Sequence, residues 1–344
     1  MAQSESGRIL LKGPSGLSTR RAEYNGAIRL LLCWLAAGLA LTNAQASDST
    51  SSCIVINGLG GMPEYEETFL KWSGQVGELF RKSKSRVYSL DGGVQERDQI
   101  LQVFREVARS APSNSSVWLF LVGHANYDGS HYKFHIRGPD LTDDDLKHFL
   151  DSFKTQKVQV IAATSASGAL LPVLKGANRV VVTATRNSQE RQPPLFMSFF
   201  LQAVNSAQAD TDKNGKVSLL EAFLSSRKQV ADWFKSKGRL QTEHAVLDDH
   251  AEVRLSADKK SSEAVLAPGL LSSLAYLSTP PETAYRSLEA KALAGEKATL
   301  EREIEALKFR KKELAEADYY QKLEQLLIKL AQLNEKMAKL EVGK

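Results

Sequence analysis

The sequence predicts an α/β domain with a mainly parallel sheet and helices on both faces, followed by a helical, partly coiled-coil C-terminal region. Three observations carry that reading. Short, mostly apolar runs at 53–56, 117–122 and 158–163 end in loops rich in glycine or hydroxyl groups, as strands covered on both faces do. Segments with apolar residues at helical spacing alternate with them, which favours a parallel sheet with crossover helices. After Pro281 no proline occurs, and Glu, Lys, Leu, Ala and Gln dominate.

The elements follow in order. Cys53, Ile54, Val55 and Ile56 form a first strand that runs into Asn57, Gly58, Leu59, Gly60 and Gly61. Phe69, Trp72, Val76 and Phe80 mark a helix, 86–90 a second strand, and Ile100, Val103, Phe104 and Val107 another helix. The run 117–122 is a third strand, and 132–136 belongs to a small hairpin. Thr142 with Asp145 makes a capping box for the helix carrying Leu146, Phe149 and Leu150. A fourth strand spans 158–163, a helix covers 168–174 and a fifth strand 179–183. Helices are expected at 195–204 and 222–234. The domain as a whole is expected over 53–255, with a linker at 256–282 and the helical region at 283–342.

Charge and cysteine count narrow the function. The 344 residues are 42% apolar and 25% charged, with a formal net charge of +5. Residues 1–46 hold five basic and two acidic side chains, and removing them leaves 40 basic against 38 acidic. No polybasic arm remains, so nucleic-acid binding is not expected. Within that segment, 27–41 is a short apolar run behind basic residues, and Ala44, Gln45 and Ala46 follow as a small-x-small cleavage signal. The run is short for a span, which needs roughly 20 residues. The expectation is a signal peptide at 1–46, export to a periplasmic or secreted location, and no membrane span after cleavage; an uncleaved N-terminal anchor is the alternative. The mature chain then keeps only Cys53, so no internal disulfide supports the core.

In the C-terminal region Leu300, Ile304, Leu307 and Leu314 follow heptad spacing. Leu323, Leu326, Leu330, Leu333, Met337 and Leu340 form a second register that does not join the first. Either one helix shifts phase near 315–318 or two helices fold back there. The near-balanced charge of the stretch suits a helical partner or self-association, or docking on the chain's own domain.

The most specific motif is the twelve-residue stretch 210–221, which matches the EF-hand pattern. A Ca2+ ion wants six to eight oxygens. Asp210, Asp212 and Asn214 offer side-chain oxygens at alternating positions, and Lys216 offers its carbonyl. Ser218 acts directly or through water, and Glu221 closes the site with both carboxylate oxygens. Gly215 permits the turn, and Val217 is the apolar position that packs on the core. A lone exported site of this kind is expected to be structural, with affinity around 10⁻⁴–10⁻³ M.

In open α/β sheets, ligands bind beyond the carboxyl ends of the strands. That rule points to His124, after the third strand, and Ser165, after the fourth. The segments Phe120 to Asn126 and Val158 to Gly168 resemble the legumain-like and caspase-like cysteine peptidases of the caspase-haemoglobinase fold. In that clan one strand ends in His-Gly and the next in a Cys followed closely by Ser-Gly. The resemblance covers roughly 53–250 and implies a catalytic histidine at His124 and a nucleophile position at Ser165, with Ser167 and Gly168 as the trailing pair. Two departures stand out. Serine replaces cysteine, and Ala125 replaces the glycine whose N–H helps bind the oxyanion. A serine hydroxyl needs a well-placed base and oxyanion donors, whereas a thiolate is already a good nucleophile.

The expectation is therefore a degenerate peptidase or binding module that holds a peptide or protein ligand in this cleft. The alternative is an active hydrolase with Ser165 as nucleophile and His124 as general base. Thr164 and Ser167 are other hydroxyls within reach, and Thr185 or Arg186 are candidates to line the cleft. His131, His135 and His148 lack a ligand partner at helical spacing and read as surface or loop residues.

Overall fold

The computed structural model describes residues 51–113, 115–211, 216–254, 264–268, 270–277, 288–311 and 313–342, and among these it holds ten strands and nine α-helices. The expected signal peptide at 1–46 lies outside the described residues, as do Asp212, Asn214 and Gly215 of the calcium loop.

Five strands run parallel: β1 (Ser51–Asn57), β2 (Arg86–Asp91), β3 (Ser116–Gly123), β7 (Lys157–Thr164) and β8 (Arg179–Thr183). Antiparallel β9 (Val246–Arg254) and β10 (Ala264–Pro268) extend the sheet, giving the spatial order β10-β9-β8-β7-β3-β1-β2. The central strands are continuous apolar runs because side chains on both faces are covered. Cys53 and Val55 pack with Phe69, Val76 and Phe80 of α1 (Pro63–Lys82) and with Phe196 and Phe200 of α5 (Phe196–Val204). Ile54 and Ile56 face the other way, toward Ile100 and Phe104 of α2 (Arg97–Ser110) and Leu146 and Phe149 of α3 (Asp143–Asp151). The alternation within four residues is the pleat of a strand with period two.

A smaller antiparallel sheet of β4 (Ala125–Tyr127), β5 (Tyr132–Phe134) and β6 (Leu141–Thr142) grows directly from the end of β3. The capping box read from Thr142 and Asp145 is present. Thr142 N donates to Asp145 Oδ2 at 2.9 Å and Asp145 N donates to Thr142 Oγ1 at 3.3 Å. The same carboxylate receives Arg97 Nε and Nη2 at 2.9 and 2.7 Å, which ties α2 to α3.

Several elements differ from the sequence reading, among them β9 (Val246–Arg254) and β4 (Ala125–Tyr127), where no strand was expected. The helix expected at 168–174 is a 3-10 turn at Ser167–Leu170 followed by the four-residue α4 (Leu171–Leu174), with Pro172 in its first turn. The stretch expected as a linker, 256–282, contains β10 and the short α7 (Leu270–Ser273). The apolar run at 264–267 is too short to show a period; pairing with β9 supplies the strand.

Helix α6 (Leu219–Ser236) follows the segment expected to bind calcium. The C-terminal region forms α8 (Leu288–Phe309) and α9 (Glu316–Val342), which pack on each other. Of the two arrangements the sequence left open, the fold-back is the one adopted, with the turn at 310–315. Ile304, Leu307, Tyr319 and Leu333 are buried by it, while α8 also touches α7 and β10. Among the described residues no helix is long and apolar enough to cross a membrane.

Candidate active site and its neighbouring carboxylates

Register places the two leading candidates at one level. Gly123 of β3 pairs with Thr164 of β7, so His124 and Ser165 leave adjacent parallel strands side by side at their carboxyl ends. Gly123 can sit there only without a side chain, since a Cβ would stand 2.9 Å from the Gly58 Cα and 3.0 Å from the Phe134 ring.

The imidazole of His124 is held by aromatic edges. Its ring meets Tyr65 at 4.9 Å and Phe69 at 5.0 Å between centroids, at 77° and 78°, both from α1. Burial lowers its pKa, with the nearby His135 adding to the effect and a hydrogen bond to the Gly60 backbone opposing it. The ring is therefore biased to the neutral form a general base needs.

Ser165 is 3% exposed. Its Oγ donates to Ala125 O at 2.8 Å and accepts from Ala125 N at 3.3 Å. The hydroxyl is thus engaged in both directions by the residue that follows His124, through backbone rather than imidazole. Ala166 comes next in the left-handed region at φ 53°, a conformation an alanine adopts only under constraint. The constraint is a hydrogen bond from Ala166 N to Glu190 O at 2.9 Å.

The other hydroxyls are likewise committed. Thr164 Oγ1 and the Tyr132 hydroxyl lie 2.7 Å apart, both fully buried. Ser167 Oγ accepts from Thr185 N at 3.2 Å, and Gly168 N donates to Thr185 Oγ1 at 2.9 Å. Thr185 therefore faces this loop from below rather than from an open cleft. Gly168 packs so closely that a Cβ would fall 2.2 Å from Asn187 N and 2.3 Å from Arg186 C.

A carboxylate hub stands behind the loop. Glu190 Oε2 accepts from Arg186 N at 2.9 Å and from His244 N at 3.0 Å, and its Oε1 meets His244 Nδ1 at 2.6 Å. Beside it, Glu243 is 2% exposed. It accepts from Leu195 N at 2.7 Å through Oε2, while its Oε1 has no partner. Burial pushes its carboxyl up to about 7; hydrogen bonds from the Leu195 and Phe196 backbones oppose this, and the nearby Glu190 charge reinforces it. The sequence around 242–244 carries no motif that gives these residues a role. Glu190 and His244 are 54 positions apart, and no spacing rule joins them.

Two groups bear on metals. In the segment expected to bind calcium, Glu221 Oε1 accepts from Thr211 N and Oγ1 at 2.8 and 2.9 Å, and Oε2 from Ser218 N and Oγ at 2.9 and 2.8 Å. Burial alone would raise this carboxyl, but those bonds outweigh it and lower the pKa. The carboxylate thus bridges Thr211 and Ser218. Val217 is buried as expected, and Leu219 N donates to Ala275 O at 2.7 Å, fastening the loop exit to the end of α7. Elsewhere, ligand atoms of His131, Asp143 and Asp144 lie within 4.8 Å of one another. His131 Nδ1 sits 3.1 Å from Asp143 Oδ1, so it has tertiary carboxylate neighbours that helical spacing does not reveal. The positive end of α3 works against a cation there.

Comparison with known proteins gives three findings. Residues 151–248, less than half of the chain, match a family model described as adenovirus L4-33K/L4-22K. No curated protein matches the sequence. Among solved structures, the chain is similar to the Drosophila initiator caspase Dronc, at 13% identity and a TM-score of 0.43, over 58% of this chain and 79% of that one. It is also similar to caspase-1 of Spodoptera frugiperda, at 11% identity and a TM-score of 0.44, over 59% and 90%. A protein of Geobacter sulfurreducens is similar at 10% identity and a TM-score of 0.41, over 62% and 96%.

Proposed function

We propose that the chain is an exported binding module on a peptidase-like α/β frame, with a helix–loop–helix stabilised by calcium. The observation that carries this reading is the commitment of the Ser165 hydroxyl to the Ala125 backbone in both directions. A nucleophilic serine needs its proton facing a base, and here that proton goes to a carbonyl. The Ala125 N–H, which an oxyanion would use, is turned to the same hydroxyl. The cleft then holds a peptide or protein ligand, and the C-terminal helices offer a partner surface or self-association.

A second reading, hydrolysis through Ser165 with His124 as general base, is favoured by the neutral bias of His124 and its place beside Ser165. Covalent labelling by a fluorophosphonate separates the two. The binding module leaves the mature wild type unlabelled. The double variant Ser165→Cys with Ala125→Gly gains cysteine-probe labelling that depends on His124. Labelling of wild-type Ser165, lost in both Ser165→Ala and His124→Ala, would establish the hydrolase instead.

The calcium role has its own readout. A native-state site raises the melting temperature as calcium rises through the millimolar range, and Glu221→Gln largely removes that shift. A melting curve indifferent to millimolar calcium would refute the site.

A further inference from the structure

The Glu190–His244 pair opens onto a feature that the His124–Ser165 cleft does not use. A cavity of about 510 Å³ lies between the loop after β8, helix α6 and the segment entering β9, lined in part by Arg186, Arg227, Lys228, Gln241 and His244. Its charge is mostly positive. Arg186 stands 3.6 Å from Glu190 and Lys228 2.6 Å from Asp232, so each shares one carboxylate. Arg227 lies over the Phe223 ring at 5.5 Å, and among the described residues no carboxylate is within ion-pair distance of it.

His244 is prepared for a defined role in this wall. Its Nδ1 is taken by the Glu190 carboxylate, which is 11% exposed, while the His244 side chain is 39% exposed and lines the cavity. A carboxylate on one ring nitrogen fixes the ring's orientation and leaves the other nitrogen for a ligand. We propose that this cavity is an oxyanion-binding site for a phosphate-type group, with Arg227 and Arg186 as its charged donors and His244 Nε2, oriented by Glu190, accepting from the P–OH of the group. Lys228 adds a point charge, and Gln241 a neutral amide already positioned by its bond from Nε2 to Glu243 O at 2.7 Å.

The choice of a phosphate over a carboxylate rests on geometry. The donors come from three separate walls, which suits the tetrahedrally disposed oxygens of a phosphate better than the planar fork of a carboxylate. The inference is independent of the reading given to Ser165.

Calorimetric titration of the full chain with inorganic phosphate, and in parallel with glutarate, tests it. Phosphate is expected to bind in the millimolar range or tighter, and Arg227→Gln and His244→Gln each to weaken it about tenfold or more, since each removes a charge-assisted or oriented hydrogen bond. Ser165→Ala should leave the affinity unchanged. Because Arg227 is on the exposed face of α6, its variant should keep the wild-type melting temperature. The His244 ring resonances of the wild type, followed by NMR during the titration, provide a readout that needs no variant. Silence of those resonances at about 10 mM phosphate, well above a millimolar dissociation constant, overturns the site. Glutarate binding as tightly as phosphate overturns the phosphate assignment.

Discussion

His124 and His244 both sit at the carboxyl end of the parallel sheet, yet their surroundings are opposite. His124 is half-buried against Tyr65 and Phe69 and takes its polar contact from the Gly60 backbone. His244 is gripped by a buried carboxylate and lines a cationic cavity. The first lies in a segment whose sequence resembles that of a peptidase base, yet the Ser165 hydroxyl beside it turns to the Ala125 backbone. The second has no motif around it but the carboxylate–imidazole geometry that orients a working histidine. The comparison shows that a motif preserves a position in the fold, while partners decide what the side chain does there. Glu190 joins the two regions, because its backbone fixes Ala166 after Ser165 and its side chain fixes His244.

That joint can be broken at Gly168. Gly168→Ala forces a Cβ against the backbone of Arg186 and Asn187 and should destabilise the fold by about 3 kcal/mol, as overpacking against immobile atoms does. Urea unfolding measures it, and a loss below about 1 kcal/mol would show that the two loops are not interlocked.

The carboxylates sharpen the contrast through pH. Burial raises the folded pKa of Glu243 to about 7, above the ordinary carboxylate value of about 4.5, so the folded state binds the proton more tightly than the unfolded one. Its contribution is fully present below about pH 4.5 and is lost as pH rises through 7, on the order of 3 kcal/mol in all. Glu243→Gln should flatten that part of the stability–pH profile and gain relative to the wild type at pH 8. Identical slopes for the two proteins between pH 5 and 7 would remove Glu243 from the account.

The smallest effect belongs to the residue that looked most important. Ser165→Ala leaves Ala125 N and O without their partner and should lower stability by roughly 1–2 kcal/mol, the range for a buried group left unsatisfied. Thermal melting of the variant checks this; an unchanged melting temperature would mean the hydroxyl is not structural.

Local patterns made much of the fold legible. The strands 53–56, 117–122 and 158–163 are visible because a parallel sheet covered on both faces needs uninterrupted apolar runs. The capping box at Thr142 and Asp145 is visible because its two bonds close within three residues. The two unjoined heptad registers announced a break that became the fold-back at 310–315. The linker expectation at 256–282 failed because β10 is a four-residue apolar run before a proline, too short to read as a strand without its pairing to β9.

By itself, then, the sequence determined the central parallel strands and the longer helices, that His124 and Ser165 end adjacent central strands, and that a twelve-residue stretch has the spacing of a calcium site. Those are matters of periodicity and short-range hydrogen bonding, which neighbouring residues settle among themselves. Tertiary structure alone decided that Ser165 bonds to Ala125, that Thr164 is taken by Tyr132, and that Glu190 meets His244 across 54 positions. Such pairings depend on how strand ends and loops pack in three dimensions, and a buried polar group accepts whichever partner the packing brings within about 3 Å.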